Sequence, residues 1–236
     1  MSTRAARALL VLTAFVSVVA EVGSAAAQRG QYCERTNYSA QEITDAVRNS
    51  PLRDDLKATS CSLGGLGRFE SGGNKGVYNG SCCTGIFQLN RRNVRDYAGT
   101  TPEGYGCMSL QQQVNAWASL TNDGYNSSAV RQLASMSTFD GQKVDASLIA
   151  SCIQLGTGNC QRMVSSGQCS GFADINGTTI CGMARNARAQ ADPKCREGQV
   201  ACGPIGPGDF PTTPVGIASR PPTPGSASII VSSTDV

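Results

Sequence analysis

The sequence predicts a mainly α-helical domain stapled by disulfides. Helix-capping residues followed by apolar residues at helical spacing recur between residues 39 and 155. No segment shows an alternation long enough to indicate a convincing sheet, and there is no internal repeat. The chain has 11 cysteines, the first at Cys33, which is typical of a disulfide framework in an exported protein.

The first residues have the pattern of a secretory signal peptide. Arg4 and Arg7 precede an apolar stretch over 8–20, and small residues follow up to Ala27. We therefore expect residues 1–27 to be removed and the product to be periplasmic or secreted. No later segment reaches the roughly 20 apolar residues of a membrane span, so none is expected in the mature chain.

The residue types restrict the chemistry. The chain has no histidine, which excludes triads with an imidazole base and every His-ligated metal site. There is also no Cys-x-x-Cys pair, so no metal and no cofactor is expected. An odd number of cysteines leaves one thiol without an internal partner unless it pairs between chains. Cys82 and Cys83 are expected to bond to two different partners, because a ring between neighbours demands a strained peptide.

The charge balance gives no reason to expect a nucleic-acid or membrane-surface partner. The formal net charge is +3, and removing Arg4, Arg7 and Glu21 with the signal peptide leaves +2. So small an excess does not create an extended basic surface.

The first elements lead to an acidic residue at a helix end. Ser39 and Glu42 form a capping-box pattern, which predicts a helix over 39–49. A second, irregular helix is expected to start at Ser50-Pro51 and to end near Glu70, because a glycine pair follows. The helix dipole disfavours a carboxylate there, so the pKa of Glu70 is expected to be raised.

The middle of the chain predicts a loop and three more helices. Residues 77–89 mix glycine, asparagine and cysteine with short apolar runs and indicate a loop or small hairpin. Ser109 caps a long helix to Thr121, and shorter helices are expected over 130–136 and 145–155.

The last part of the chain changes in composition. Residues 156–202 are rich in cysteine and short polar turns, with one helix near 179–189, and are interpreted as a stapled extension of the same domain. Residues 203–236 contain seven of the ten prolines and predict an extended tail. The expected organisation is therefore a signal peptide, one domain over 28–202 and the tail.

Two sequence motifs carry the functional interpretation. Glu70-Ser71-Gly72-Gly73-Asn74 and Gly85-Ile86-Phe87-Gln88-Leu89 resemble two motifs of the soluble lytic transglycosylases of the lysozyme-like superfamily. The segment 150–158 is similar to a diverged third motif of that family. The resemblance covers roughly residues 52–164 and implies a lysozyme-like helical fold.

The resemblance implies cleavage of peptidoglycan between muramic acid and glucosamine residues. Glu70 would be the single general acid and base, and the 6-hydroxyl of muramic acid would attack to leave a 1,6-anhydro end. The implied substrate-binding residues are Ser71, Gly85, Phe87, Gln88 and Gln154. Peptidoglycan strands are the expected partner and, by analogy only, an envelope-spanning secretion apparatus.

Several alternatives remain open at this level. Ile153 stands where the family has tyrosine, which motivates a non-catalytic glycan-binding or scaffold protein. The cysteine-dense segment 152–202 motivates a secreted inhibitor or interaction protein. Trp117 is interpreted as a core residue in preference to a platform for sugar stacking. The segment 174–177 is interpreted as an Asn-Gly turn in preference to a calcium loop. The other carboxylates considered for catalysis, none of them in a motif, are Asp96, Glu103, Asp123 and Asp140.

Overall fold

A computed structural model describes residues 30–171, 173–174 and 177–195. The predicted signal peptide, the proline-rich tail and Cys202 lie outside the described residues. The part that is described is mainly helical, which confirms the predicted fold class at that level.

The described residues form ten α-helices, several of them only one or two turns long. They are α1 (Ala40–Arg48), α2 (Asp54–Lys57), α3 (Cys61–Ser71), α4 (Arg91–Asn93), α5 (Pro102–Cys107), α6 (Leu110–Tyr125), α7 (Ser128–Ala134), α8 (Ala146–Gln154), α9 (Thr157–Ser166) and α10 (Ile180–Ala189). A π-helical turn, Val94–Ala98, directly continues α4. The strands are β1 (Gly30–Gln31), β2 (Val77–Tyr78), β3 (Cys83–Thr84), β4 (Leu89–Asn90), β5 (Thr138–Phe139) and β6 (Gln142–Lys143).

The predicted helix starts are confirmed where a capping side chain defines them. In α1 the Ser39 N–H donates to Glu42 Oε2 at 2.8 Å and the Glu42 N–H donates to Ser39 Oγ at 3.2 Å, which completes the capping box. Ser109 begins α6 with the same reciprocal pattern. Asp145 begins α8, where its Oδ1 accepts from the Leu148 N–H at 3.1 Å. Local side-chain chemistry therefore defined these starts, as the sequence indicated.

The prediction of one helix from Ser50-Pro51 to Glu70 is wrong, because the structure has a turn and two separate helices there. Ser50 and Pro51 form a turn, in which the buried Ser50 hydroxyl donates to Val47 O and accepts from the Leu52 N–H. The helix α2 starts only at Asp54, and a new helix, α3, starts at Cys61. The serine therefore satisfies backbone groups of a turn and does not open a helix.

Glycines let two helices approach α3 closely. A Cβ atom at Gly64 would collide with the backbone oxygen of Ala40 in α1, and one at Gly65 with that of Ala187 in α10. Glycine weakens a helix by about 1 kcal/mol relative to alanine, so packing overrides propensity here. The helix that carries Glu70 is consequently held from both sides.

The cysteine-rich segment contributes to the same core. The helix α10 packs mainly against α3, and its residues Ile180, Met183 and Ala187 are buried. The sequence interpretation missed α9, which has no side-chain N-cap hydrogen bond and begins after Gly156. Without a capping residue, this start left no local pattern to find.

Four of the short strands form an antiparallel sheet. Its strand order is β1-β2-β3-β4, with Tyr78 opposite Thr84 and Cys83 opposite Asn90. A second pair joins β5 to β6. The hairpin expected over 77–89 is present, but the expectation of no sheet was wrong, because two-residue strands are too short to show alternation.

Five disulfides staple the described residues. They are Cys33–Cys107, Cys61–Cys195, Cys82–Cys83, Cys152–Cys160 and Cys169–Cys181. The expectation that the two neighbouring cysteines have different partners is therefore wrong. Asn79 explains the pairing, since its Oδ1 accepts from the backbone N–H groups of Ser81, Cys82 and Cys83 and folds that segment into a tight turn.

The disulfides agree with the expected oxidising compartment. Ten of the eleven cysteines belong to these pairs, and the eleventh is Cys202. Among the helices described above, none is long and apolar enough to cross a bilayer.

Candidate active site

Glu70 occupies the last turn of α3 with its carboxyl group withdrawn from water. Its Oε1 atom is inaccessible to solvent and has no hydrogen-bond partner within the described part of the chain. Burial, together with the negative charge of Asp174, raises the pKa of Glu70 to about 8, against the opposing effect of a hydrogen bond with Gln154. Desolvation is the main cause, so the carboxyl group is protonated at neutral pH.

Gln154 connects the acid to the core. It is the last residue of α8, its Nε2 donates to the backbone oxygen of Phe87 at 2.7 Å, and its Oε1 accepts from Trp117 Nε1 at 3.3 Å. These two bonds fix the amide that contacts Glu70. The first and third sequence motifs therefore meet in space, although they are more than 80 residues apart.

Phe87 lies in the core beside the candidate site, where its backbone oxygen accepts from Gln154. Its ring is 0% exposed and stacks on Trp117 with 4.1 Å between ring centroids. The side chain therefore cannot contact a glycan in this structure, and the prediction that Phe87 binds substrate is corrected to a packing role. Trp117 is 1% exposed and belongs to the core, as its first interpretation held.

Gly85 is required by packing inside the protein. Its φ angle is +89°, and a Cβ atom there would collide with Tyr105 and with Gln113 Oε1. Gln113, a buried residue of α6, accepts from the Ile86 N–H at 2.9 Å and donates to the backbone oxygens of Lys75 and Tyr105. This buried amide organises the second motif, and the sequence analysis missed it because glutamine is ordinarily a surface residue.

Ser71 and Gln88 both bond to the backbone. The Ser71 hydroxyl donates to Gly67 O at 2.8 Å and accepts from the Gly73 N–H at 3.2 Å, which closes α3. The Gln88 amide donates to Gly85 O at 2.8 Å and to Val77 O at 3.3 Å. Their substrate-binding roles stay predictions, since each side chain already has a structural role.

The structure adds Asp174 to the candidate site. From the sequence, residues 174–177 are interpreted as an Asn-Gly turn in preference to a calcium loop. Asp174 Oδ1 accepts from the Thr178 N–H at 2.7 Å, and the Asp174 backbone oxygen accepts from the Gly177 N–H at 3.0 Å. These bonds agree with the turn interpretation, and Ile175 and Asn176 lie outside the described residues.

The carboxylates considered from the sequence have other roles. Asp96 forms ion pairs with two arginines, Asp123 accepts from a tyrosine hydroxyl, Asp140 accepts from the Cys169 N–H, and Glu103 is exposed. The acidic residue whose charge acts on Glu70 is Asp174. Only the fold could identify it, because it lies in a turn more than 100 residues away.

Two open clefts of about 380 and 340 Å³ lie elsewhere on the molecule. The first is lined by residues around the start of α1, by Arg68 of α3 and by residues 190–193 after α10, and the second by residues around Asp145 and Arg188. Glu70 lines neither of them. Its assignment rests on the environment of its carboxyl group.

Comparisons with protein-family models, with curated proteins and with solved structures found no match to this chain. The resemblance to lytic transglycosylases therefore rests on the motifs in the sequence and on the surroundings of Glu70.

Proposed function

We propose that this protein is a secreted enzyme that cleaves the glycosidic bond between muramic acid and glucosamine residues of peptidoglycan, with Glu70 as its acid. The observation that carries the proposal is the Oε1 atom of the Glu70 carboxyl group, which is buried and has no hydrogen-bond partner among the residues that the structure describes. Such a group loses its proton only at high pH and is suited to donate it to a departing sugar oxygen.

The chemistry begins with protonation of the leaving group. Glu70 donates its proton to the glycosidic oxygen while the bond from that oxygen to C1 of muramic acid breaks. The resulting glutamate then accepts a proton from the acceptor hydroxyl that bonds to C1. This acceptor is either the sugar's own 6-hydroxyl, which gives a 1,6-anhydro end, or water, which gives a reducing end.

The residues around Glu70 support both halves of this cycle. The Gln154 amide favours the ionised form of Glu70 and so opposes the rise of its pKa, and it is fixed in turn by Phe87 and Trp117. A fixed amide donor stabilises the carboxylate that forms when the proton leaves. The site can therefore hold an acid and then a base without moving a loop.

The proposed setting is the periplasm or the exterior of the cell. Its support is the signal-peptide pattern over 1–27 and the disulfides, which form in oxidising compartments. Peptidoglycan strands are the proposed partner. An envelope-spanning secretion apparatus remains an analogy from the family resemblance.

Digestion of purified sacculi tests the activity. We expect the native protein to release muropeptides and Glu70→Gln, which cannot donate a proton, to release none above background. Glu103→Gln is the matched control, because that carboxyl group is exposed. Equal release by the native protein and Glu70→Gln would remove Glu70 from the mechanism.

A non-catalytic glycan-binding protein is the second candidate. It is favoured by Ile153, which is 2% exposed and packs against Gly124, where the related motif has a tyrosine. Retention of the protein on sacculi without product, unaffected by Glu70→Gln, would support this candidate and exclude the first.

A further inference from the structure

The larger of the two clefts is formed by three parts of the chain. Its walls are residues at the start of α1, Arg68 of α3, and the segment 190–193, which follows α10. A Cβ atom at Gly65 of α3 would collide with the backbone of Gln190 and Ala191, so this segment lies directly on α3. The volume of about 380 Å³ falls within the range of about 300–1,000 Å³ that is typical of small-ligand sites.

The segment after α10 holds a carboxylate, Asp192, at the cleft. Cys195 forms a disulfide with Cys61 in the first turn of α3. The Lys194 N–H donates to Asp192 Oδ1 at 2.7 Å, and the Cys195 N–H donates to the Asp192 backbone oxygen at 3.0 Å. A turn and a covalent bond therefore fix Asp192, and its Oδ2 atom accepts no hydrogen bond from the residues that the structure describes.

The guanidinium group of Arg68 is fixed through one of its nitrogens. Its Nη1 donates to Asn37 Oδ1 at 2.7 Å and to the backbone oxygens of Tyr38 and Gly72 at 2.9 and 2.7 Å. Among the described residues, none accepts from its Nε or Nη2 group. Arg68 therefore has a defined orientation and keeps N–H donors for a carboxylate.

Arg68 and Asp192 bring opposite charges to the same cleft. Neither forms an ion pair with the other or with any further residue in the described ranges. Unpaired opposite charges of this kind are complementary to a ligand that carries both a carboxylate and an ammonium group. A purely anionic ligand would be repelled by Asp192, and a purely cationic ligand by Arg68. Asn37 and Gln190 add side-chain amides, which can hydrogen-bond either group.

We propose that this cleft binds the stem peptide of peptidoglycan, with Arg68 on a carboxylate and Asp192 on an ammonium group of the peptide. This proposal rests on the function proposed above. Stem peptides have several carboxylates and, where they contain a diamino acid, a free amine.

The cleft is within reach of a peptide attached to a sugar at Glu70. Arg68 precedes Glu70 by two positions in α3, so their Cα atoms are about 5 Å apart and their side chains leave the helix in different directions. An extended tetrapeptide spans about 13 Å, which exceeds the helix diameter of about 10–12 Å. One muropeptide can therefore contact both places.

Calorimetric titration of the native protein with a free tetrapeptide tests the site without any cleavage. The probe is alanyl-glutamyl-diaminopimelyl-alanine, which has no glycosidic bond, and we expect saturable binding at one site. Acetylation of its amines, or amidation of its carboxylates, should weaken binding at least about tenfold, because each change removes charge-assisted hydrogen bonds. The amidated peptide tests Arg68, whose substitution would also release Asn37 and Gly72. Absence of binding of the unmodified peptide would overturn the proposal.

Asp192→Asn tests the carboxylate. It keeps the oxygen that accepts from the Lys194 N–H and removes the charge, so the turn is expected to keep its structure. We expect the unmodified peptide to bind about tenfold more weakly, and acetylation of the peptide to cause no further loss, because the two changes remove the same interaction. Asp54→Asn, at a fully exposed carboxylate of α2, is the matched control and should bind as the native protein does. Losses that simply add would overturn the assignment of Asp192 to the ammonium group.

Cleavage gives a second readout of the same site. The native protein should have a lower KM for peptide-bearing strands than for strands freed of their peptides by an amidase. Asp192→Asn should reduce this preference about tenfold through KM, with kcat on peptide-bearing strands little changed, because a remote contact stabilises the bound substrate and the transition state alike. A preference that stays intact in Asp192→Asn would overturn the role of this residue.

The outcomes distinguish the two proposals. Binding of the tetrapeptide without release of any muropeptide would overturn the cleavage proposed for Glu70 and support the cleft as a peptide site. Release of muropeptides that depends on Glu70, with no binding of the tetrapeptide, would overturn the cleft and support the acid.

Discussion

The buried Glu70 predicts a stability effect that does not depend on any activity. An unfolded glutamate ionises near 4.5, whereas burial raises the pKa of folded Glu70 to about 8. Between these two values the unfolded chain has lost the proton and the folded protein keeps it. Stability from this group is therefore complete below pH 4.5, falls as the pH rises, and is lost once the pH exceeds about 8.

The size of the effect follows from the two pKa values. One pKa unit corresponds to about 1.4 kcal/mol, so the raised pKa lowers the free energy of unfolding, relative to its value below pH 4.5, by about 3 kcal/mol at pH 7 and about 5 kcal/mol above pH 9. Glu70→Gln removes the ionisable group and keeps nearly the same shape. We expect its free energy of unfolding to exceed that of the native protein by about those amounts in the same pH ranges.

Urea unfolding at a series of pH values between 4 and 9.5 measures this difference. The gap between Glu70→Gln and the native protein should widen steadily with pH, while Glu103→Gln, at an exposed position, should show no such widening. A gap that stays constant from pH 5 to pH 9 would refute a buried, proton-holding Glu70.

The fluorescence of Trp117 is expected to report on the same titration of Glu70. It is the only tryptophan, it is buried, and its indole N–H donates to Gln154, which contacts Glu70. Its emission is expected to change with a midpoint near pH 8 in the native protein. The change should be absent in Glu70→Gln, and its persistence there would assign the transition to another group.

Three further predictions concern the framework. Gly65→Ala forces a methyl group onto the backbone of Ala187 and should lower the free energy of unfolding by about 1–3 kcal/mol. The control Gly158→Ala, on an open helix surface, should raise the free energy of unfolding by about 0.5–1 kcal/mol. Equal effects of the two substitutions in urea unfolding would contradict the close packing of α3. Peptide mapping without reduction should find the vicinal disulfide inside one peptide, with no second peptide attached. Burial disfavours the ionised form of Asp145, but hydrogen bonds from Arg188 outweigh it and lower its pKa. Asp145→Ala should therefore lower the free energy of unfolding by about 3–5 kcal/mol near neutral pH. Below pH 3.8 the difference between the variant and the native protein should become smaller, because the native carboxylate takes up a proton.

Local chemistry explains which parts of the fold could be predicted. The helix starts at Ser39, Ser109 and Asp145 were found because each is defined by a side chain within three residues. The break before α3 and the start of α9 were missed, since neither start has a capping side-chain bond. The vicinal disulfide was missed because Asn79, which shapes its turn, acts through backbone contacts that leave no pattern.

The candidate site shows the same division. Glu70 was found from a motif, and its raised pKa was expected from its place at a helix end, whereas burial is the main cause in the structure. The structural roles of Phe87 and Gly85 required knowledge of what packs behind them, namely Trp117 and Gln113. Distant contacts of this kind depend on the path of the whole chain, which no short motif records.

The cysteine-dense segment 152–202 acquires a different meaning in the structure. From the sequence it suggested a secreted inhibitor or interaction protein, and deletion of the segment would be an obvious test of that hypothesis. The structure places Gln154, Asp174 and α10 within this segment, and α10 covers the glycine face of α3. Removal of the segment would expose that face of α3 and would remove Gln154 and Asp174, the two side chains that act on the pKa of Glu70. Loss of cleavage after such a deletion is thus expected of the enzyme itself, and only single substitutions such as Glu70→Gln can separate the two hypotheses.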